Sequence, residues 1–179
     1  MPPKDVIVLR YGHRPYRDQR VTTHCCLVAR AFGASKILVE GETDPVLLET
    51  VKSVNATWGQ GIEVGFCPAW KPVLRGLKME GYAIVHLTMY GLELEKTMPK
   101  IRNARRVCVV IGSQKVERGV YELADWNLAV GSTPHSEIAA LAVFLHELFK
   151  GRELRTGFAG ARLAIQPNAC GKQVVRADR

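Results

Sequence analysis

The chain has 179 residues and a formal net charge of +8, from 25 lysines and arginines against 17 acidic residues. That length suits one well-buried domain and is short for two; no apolar run reaches membrane-spanning length, and "MPPKDVIVLRYGHRP" lacks the apolar core of a secretion signal. The expectation is a soluble, cytoplasmic protein whose basic balance suits a phosphate-rich partner, although charge alone is weak evidence for nucleic-acid binding.

In chain order, β-rich runs recur as "VIVLR", "KILVE", "IEVGF", "YAIVHL", "RVCVVI" and "WNLAV", with helical patterns between most of them. The first helical stretch, "TTHCCLVARAFG", ends at Gly33, and the second, "PVLLETVKSVNATW", opens behind Thr43 or Asp44 as its cap, with Pro45 in the first position. The last, within "VGSTPHSEIAALAVFLHELFKG", reads as capped by Thr133 with Pro134 at its first position and Glu137 in its first turn. Its apolar residues Ile138, Leu141, Ala142, Leu145, Leu148 and Phe149 recur at helical spacing, and Lys150 and Gly151 close it. Beyond Gly151, two extended runs flank the turn-like "PNACGK", so residues 152–179 read as a terminal β-hairpin extension of a single domain covering 1–179. Alternating strands and helices predict an α/β fold, a mainly parallel sheet with helices on both faces.

Cys25, Cys26, Cys67, Cys108 and Cys170 form no C-x-x-C pair and match no zinc spacing, so reduced thiols are expected and none is a candidate nucleophile. A metal site built on His13 and His24 is disfavoured, because no neighbouring cysteine or carboxylate completes it.

Ligands of parallel α/β sheets bind beyond the carboxyl ends of the strands. Three of those ends carry "TMYG" (Thr88 to Gly91), "GSQKV" (Gly112 to Val116) and "GSTPHS" (Gly131 to Ser136), which offer glycines, main-chain donors and small hydroxyls beside apolar neighbours. They suit a nucleotide-like ligand, yet neither the G-x-G-x-x-G fingerprint nor the P-loop is present. Gly112 or Gly131 alone is explained by a tight turn; their joint placement after consecutive strands favours a site. Near the N-terminus, "RYGHRPYRDQRVTTH" sets Arg10, Arg14, Arg17 and Arg20 among Tyr11, Tyr16, His13 and His24. Guanidinium forks beside flat rings suit phosphates and splayed bases, and a solvated arginine loop accounts for the pattern about as well.

Two long stretches, "RYGHRPYRDQRVTTHCCLVARAFGA" and "VVIGSQKV…VYELADWNLAVGSTPHSEIAALAVFL", closely resemble the archaeal tRNA cytidine-56 2′-O-methyltransferase family of the SPOUT class. The resemblance spans nearly the whole chain. It implies a C-terminal trefoil knot, S-adenosyl-L-methionine as methyl donor, tRNA as substrate, and a homodimer with the site at the subunit interface. The cofactor residues it implies are Leu87, Thr88, Met89 and Tyr90; Gly112, Ser113, Gln114, Lys115 and Val116; and Val130, Gly131, Ser132, Thr133, Pro134, His135, Ser136 and Glu137. It further implies that the last helix lends an apolar stripe to the dimer; burial against its own sheet is the structural alternative.

The resemblance also makes Arg20 the leading catalytic candidate, because in this class an arginine of the N-terminal half lies near the substrate hydroxyl; its guanidinium suits holding the adjacent phosphate and the developing alkoxide, and His24 is the alternative base, with Asp18 able to orient either. RNA is expected on Arg10, Arg14 and Arg17, and Arg152, Arg155, Arg162 and Lys172 suggest that the hairpin supports the dimer or the RNA surface. The rivals are a SPOUT enzyme acting on another RNA nucleotide, a catalytically inactive RNA-binding protein and, more distantly, a nucleotide-dependent oxidoreductase.

Overall fold

The computed structural model describes residues 5–112 and 115–177. Six strands, β1 (Asp5–His13), β2 (Lys36–Gly41), β3 (Glu63–Cys67), β4 (Ala83–Glu93), β5 (Arg106–Gly112) and β6 (Trp126–Ala129), form one sheet in the order β3-β2-β1-β5-β4-β6. Every pairing in it is parallel. A separate antiparallel hairpin joins β7 (Leu163–Ile165) to β8 (Val174–Arg176), as the "PNACGK" turn predicted.

Strand alternation sorts the core into two layers. Val6 and Val8 of β1 belong to the layer that holds α1 (Pro15–Ala31), α2 (Pro45–Trp58), α4 (Leu94–Ile101) and α6 (Glu137–Phe149). Ile7, Leu9 and Tyr11 join the other, under α3 (Trp70–Met79) and α5 (Arg118–Leu123). The expected helices on both faces are therefore present. Among the described residues no helix is long and apolar enough to cross a membrane.

Helix starts show where local chemistry wins. Asp44, not Thr43, caps α2: its carboxylate accepts from the backbone N–H groups of Val46 and Leu47, both at 3.0 Å. The helix expected from Thr22 begins already at Pro15, so the arginine-rich segment is helical from there on. Pro15 suits the first position, and Arg14 reaches Asp18 in the first turn at 2.9 Å. Asp18, Thr22, Cys25, Cys26 and Ala29 then form a continuous buried stripe.

The last helix also differs from expectation. Thr133 does not cap it; Ser136 does, accepting from the Ile138 N–H at 3.1 Å, and α6 begins at Glu137. Residues 131–136 stay outside the helix as a polar loop. At the other end Lys150 (φ 57°) and Gly151 (φ 70°) take the left-handed conformation that stops it. Its apolar stripe is covered by the chain itself: Leu141, Phe144, Leu145 and Leu148 are buried against the sheet layer that includes α1, and only Val143 stands out as an exposed large apolar residue on this helix. The stripe expected to face a second subunit is consequently spent inside the fold.

The C-terminal segment leans on α2 and on the end of α1. Arg162 donates from Nε to the Ala56 carbonyl at 2.8 Å, and the Arg30 guanidinium lies 4.0 Å from the Phe158 ring centre. Arg152 donates from Nε to the Phe149 carbonyl. Arg162 and Arg152 thus act as structural ties, whereas Arg155 and Lys172 remain exposed.

Candidate active site

The site grows from an irregularity in β4. Leu87 and Leu92 both pair with Leu128 of β6, so residues 88–91 leave the ladder and return to the same point. Return is possible because residue 91 is glycine: a Cβ there would lie 2.5 Å from Asn127 C and Leu128 N, on backbone that has nowhere to go. Thr88, Met89 and Tyr90 are pushed outward by this excursion. Beside them end β5 and β6, and the three loops enclose a cleft of about 870 Å³.

Leu87, Thr88, Met89 and Tyr90 line it from the first loop, Gly112, Lys115 and Val116 from the second, and Val130, Thr133, Pro134, His135 and Glu137 from the third. Gly131, Ser132 and Ser136 lie in the same loop but outside the lining; Ser136 is occupied as the helix cap. Ser113 and Gln114 lie outside the described residues. The His135 ring lies between the carbonyl oxygens of Val130 and Ser136, within hydrogen-bond reach of both, and its one N–H in the neutral form can donate to either.

Two features of the cleft escaped the sequence reading. His86, only 1% exposed, lines the floor and bonds through Nδ1 to Asn127 Oδ1 at 2.9 Å. Asn127 in turn donates from Nδ2 to the Tyr121 carbonyl, Tyr121 stands edge-on to His86 with ring centres 4.6 Å apart, and its hydroxyl meets Thr88 Oγ1 at 3.1 Å. A signal was present: His86 and Asn127 are the polar residues inside the otherwise apolar runs "YAIVHL" and "WNLAV". Burial holds the His86 imidazole below its ordinary value, against the opposing effect of the Asn127 bond.

The second feature is an ion pair behind the wall. Glu137, on the first turn of α6, accepts from Arg10 Nη2 at 3.0 Å. Arg10 was expected on the RNA surface, but it is wholly buried. The reason is register: Arg10 shares the strand face of Val6 and Val8 and so points into the layer under α1 and α6. Its Nε and Nη1 have no partner among the described residues.

The catalytic candidates lie elsewhere. Arg20 and His24 are exposed on α1, four residues apart and therefore on one face, in line with the fully exposed Tyr16. Arg17 is exposed nearby. No residue of α1 lines the cleft of the same chain. Asp18 is buried and committed to Arg14: burial alone would raise its carboxyl, but the Arg14 bond and charge, with Arg10 behind, bring the net shift down. His13 is buried as well, with Nδ1 on Thr22 Oγ1 at 2.9 Å and Nε2 3.5 Å from Asp44 Oδ2. Burial pushes the Cys25 and Cys26 thiols up to about 12, so they behave as small apolar side chains.

The parallel sheet with its strand-end cleft defines the class: this is the fold of the SPOUT methyltransferases. The chain superimposes on an RNA 2′-O ribose methyltransferase with a TM-score of 0.62 at 17% identity, covering 85% of this chain and 58% of that one. It superimposes on an AdoMet-bound rRNA methyltransferase from Sinorhizobium meliloti with a TM-score of 0.57 at 21% identity, covering 82% and 56%. It therefore spans little more than half of these solved chains.

Within that class the chain belongs to the tRNA ribose 2′-O-methyltransferase (aTrm56) family, whose model matches residues 58–175. It is 48% identical to the tRNA (cytidine(56)-2′-O)-methyltransferase of Thermococcus kodakarensis, over 98% of this chain and 99% of that protein. With the protein of the same name from Methanothrix thermoacetophila it shares 51% identity, over 95% and 97%.

Proposed function

We propose that the chain transfers a methyl group from S-adenosyl-L-methionine to the ribose 2′-hydroxyl of cytidine 56 in tRNA. It works in the cytoplasm as a homodimer of single-domain subunits, each with a trefoil knot in its C-terminal half. The observation that carries this reading is the convergence of the β4, β5 and β6 loops on one cleft, in a chain whose near-full-length relatives share one name.

The cleft suits the cofactor. Its volume falls in the range of small-molecule sites, roughly 300–1,000 Å³, and its lining includes Leu87, Ile111 and Val116 for a flat base and one carboxylate, Glu137, to face positive charge. Bound there, the cofactor supplies an electrophilic methyl on a sulfonium centre. The knot reading draws support from the way residues 88–91 leave and rejoin β6, and from β5 lying between β1 and β4.

The hydroxyl proton needs an acceptor and the developing alkoxide a counter-charge. An arginine in a protein keeps its proton, so Arg20 holds the alkoxide or the adjoining phosphate while the His24 imidazole accepts the proton. Both stand on an exposed face of α1, outside the cleft of their own chain. A second copy that brings this face over the cleft unites them with the methyl donor, which is the argument for the dimer. Arg14 and Arg17, at the start of the same helix, lie where they can steer the RNA backbone.

Labelled S-adenosylmethionine and two tRNA transcripts, differing only at position 56, test the reading. Label in the transcript with cytidine 56 alone is the expected result; label in both, or in neither, overturns it.

A further inference from the structure

The His86 network is a polar arrangement built into an apolar floor, and nothing in the methyl-transfer chemistry above uses it. Its hydrogen-bond directions can be read in sequence. The Asn127 amide donates from Nδ2 to the Tyr121 carbonyl at 2.9 Å, which fixes Oδ1 as the atom facing His86. An amide oxygen only accepts, so His86 Nδ1 carries the hydrogen. In the neutral ring the other nitrogen, Nε2, is then a lone-pair acceptor. Nδ1 is spent on Asn127, so Nε2 is the ring nitrogen left for the cleft that His86 lines.

We propose that His86 Nε2 is a recognition acceptor for the exocyclic 6-amine of the adenine of the bound cofactor, an inference that rests on the methyl-donor reading above. Depth decides which part of the ligand His86 meets. At 1% exposure it is among the most enclosed residues of the lining, whereas Tyr90 is 78% exposed. The amino-acid end of the donor is charged and retains water most favourably near the mouth, and the methyl must be open to the RNA. The flat base is the portion that gains from the enclosed floor, where Leu87, Ile111 and Val116 offer apolar contact and Tyr121 holds the imidazole edge-on. A purine with an amine meets an acceptor there. A purine with a carbonyl at the same position brings two lone pairs together, and the site then discriminates because a buried polar atom is left unpaired.

The test uses binding alone. Isothermal titration calorimetry of the full chain compares S-adenosylhomocysteine with its 6-oxo (inosyl) and 6-unsubstituted (purine) counterparts. The wild type should bind the adenosyl compound about tenfold more tightly than the purine compound, with a larger gap for the inosyl one. His86→Ala and the milder His86→Phe should bring the adenosyl and purine affinities to within about twofold. Equal affinity of the wild type for adenosyl and purine compounds, or an unchanged ratio in both variants, overturns the assignment while leaving the methyl-donor reading intact. No binding of S-adenosylhomocysteine by the folded wild type overturns both. The wild-type comparison requires no variant to fold.

Discussion

Arg10 and Glu137 are 127 positions apart in the chain and 3.0 Å apart in space. The pair couples the first strand to the first turn of the helix that follows the third cleft loop, so the cleft wall is held by an electrostatic contact from the opposite end of the sequence. Arg10 is wholly buried and Glu137 only half-buried, so removing Glu137 leaves the buried guanidinium uncompensated, which costs about 3 kcal/mol. Glu137→Ala should therefore lower the melting temperature by roughly 8 °C for a chain of this size. It should also weaken S-adenosylmethionine binding more than it weakens the uncharged thioether product, since only the former carries the sulfonium. Thermal denaturation with and without each ligand reads both effects.

The buried histidines determine a pH dependence. His13 and His86 are both held below the ordinary imidazole value of 6.5, with burial the largest cause; for His13, Asp44 and Asp18 push up and Arg10 pushes down. Below that value the unfolded chain takes up protons that the folded chain refuses, so folding stability is complete above 6.5 and declines as pH falls. Urea midpoints measured from about pH 7.5 to about 5.5 should show the decline, and His13→Gln should flatten it. An equal slope in the variant would assign the effect to other groups.

At the scale of elements, α6 and β4 make separable predictions. Ser136 caps α6 and Thr133 belongs to the cleft lining. Ser136→Ala should cost about 1 kcal/mol of stability; Thr133→Ala should leave stability within about 0.5 kcal/mol and act on cofactor affinity instead. The β4 excursion depends on close approach at Gly91, where added Cβ meets the backbone of Asn127 and Leu128. Gly91→Ala is expected to cost at least about 1–3 kcal/mol, together with cofactor binding, because the displaced ladder carries Thr88 to Tyr90 with it.

For the whole molecule, the separation of Arg20 and His24 from the cleft makes subunit complementation the sharpest measurement. Inactive Arg20→Ala and inactive Glu137→Ala proteins, mixed and allowed to exchange subunits, should regain part of the wild-type activity if each site draws on two chains. Mixtures that stay inactive, with exchange verified by mass, would place both groups in one chain. tRNA affinity should fall steeply with salt, and Arg17→Ala should reduce the slope of log K against log salt by about one unit.

Periodicity and turn chemistry made the fold class legible. The six strand runs, the start of α2 behind Thr43 or Asp44 and the hairpin around "PNACGK" are decided by residues within a few positions of one another, and side-chain alternation assigns each strand two faces without further information. The three strand-end loops were legible for the same reason, since an α/β sheet puts ligands at those ends. Roles that depend on direction in space were not. Arg10 looked like its neighbours Arg14 and Arg17, and only the sheet register turned it inward to Glu137. The apolar stripe of α6 fits a second subunit as well as its own sheet until the layers are assembled. His86 and Asn127 stood out as polar letters in apolar strings, but they became a network because parallel β4 and β6 place them side by side. Local sequence determines which element forms, because the competing energies are short-ranged; which side chains meet across the cleft is set by how the elements are stacked.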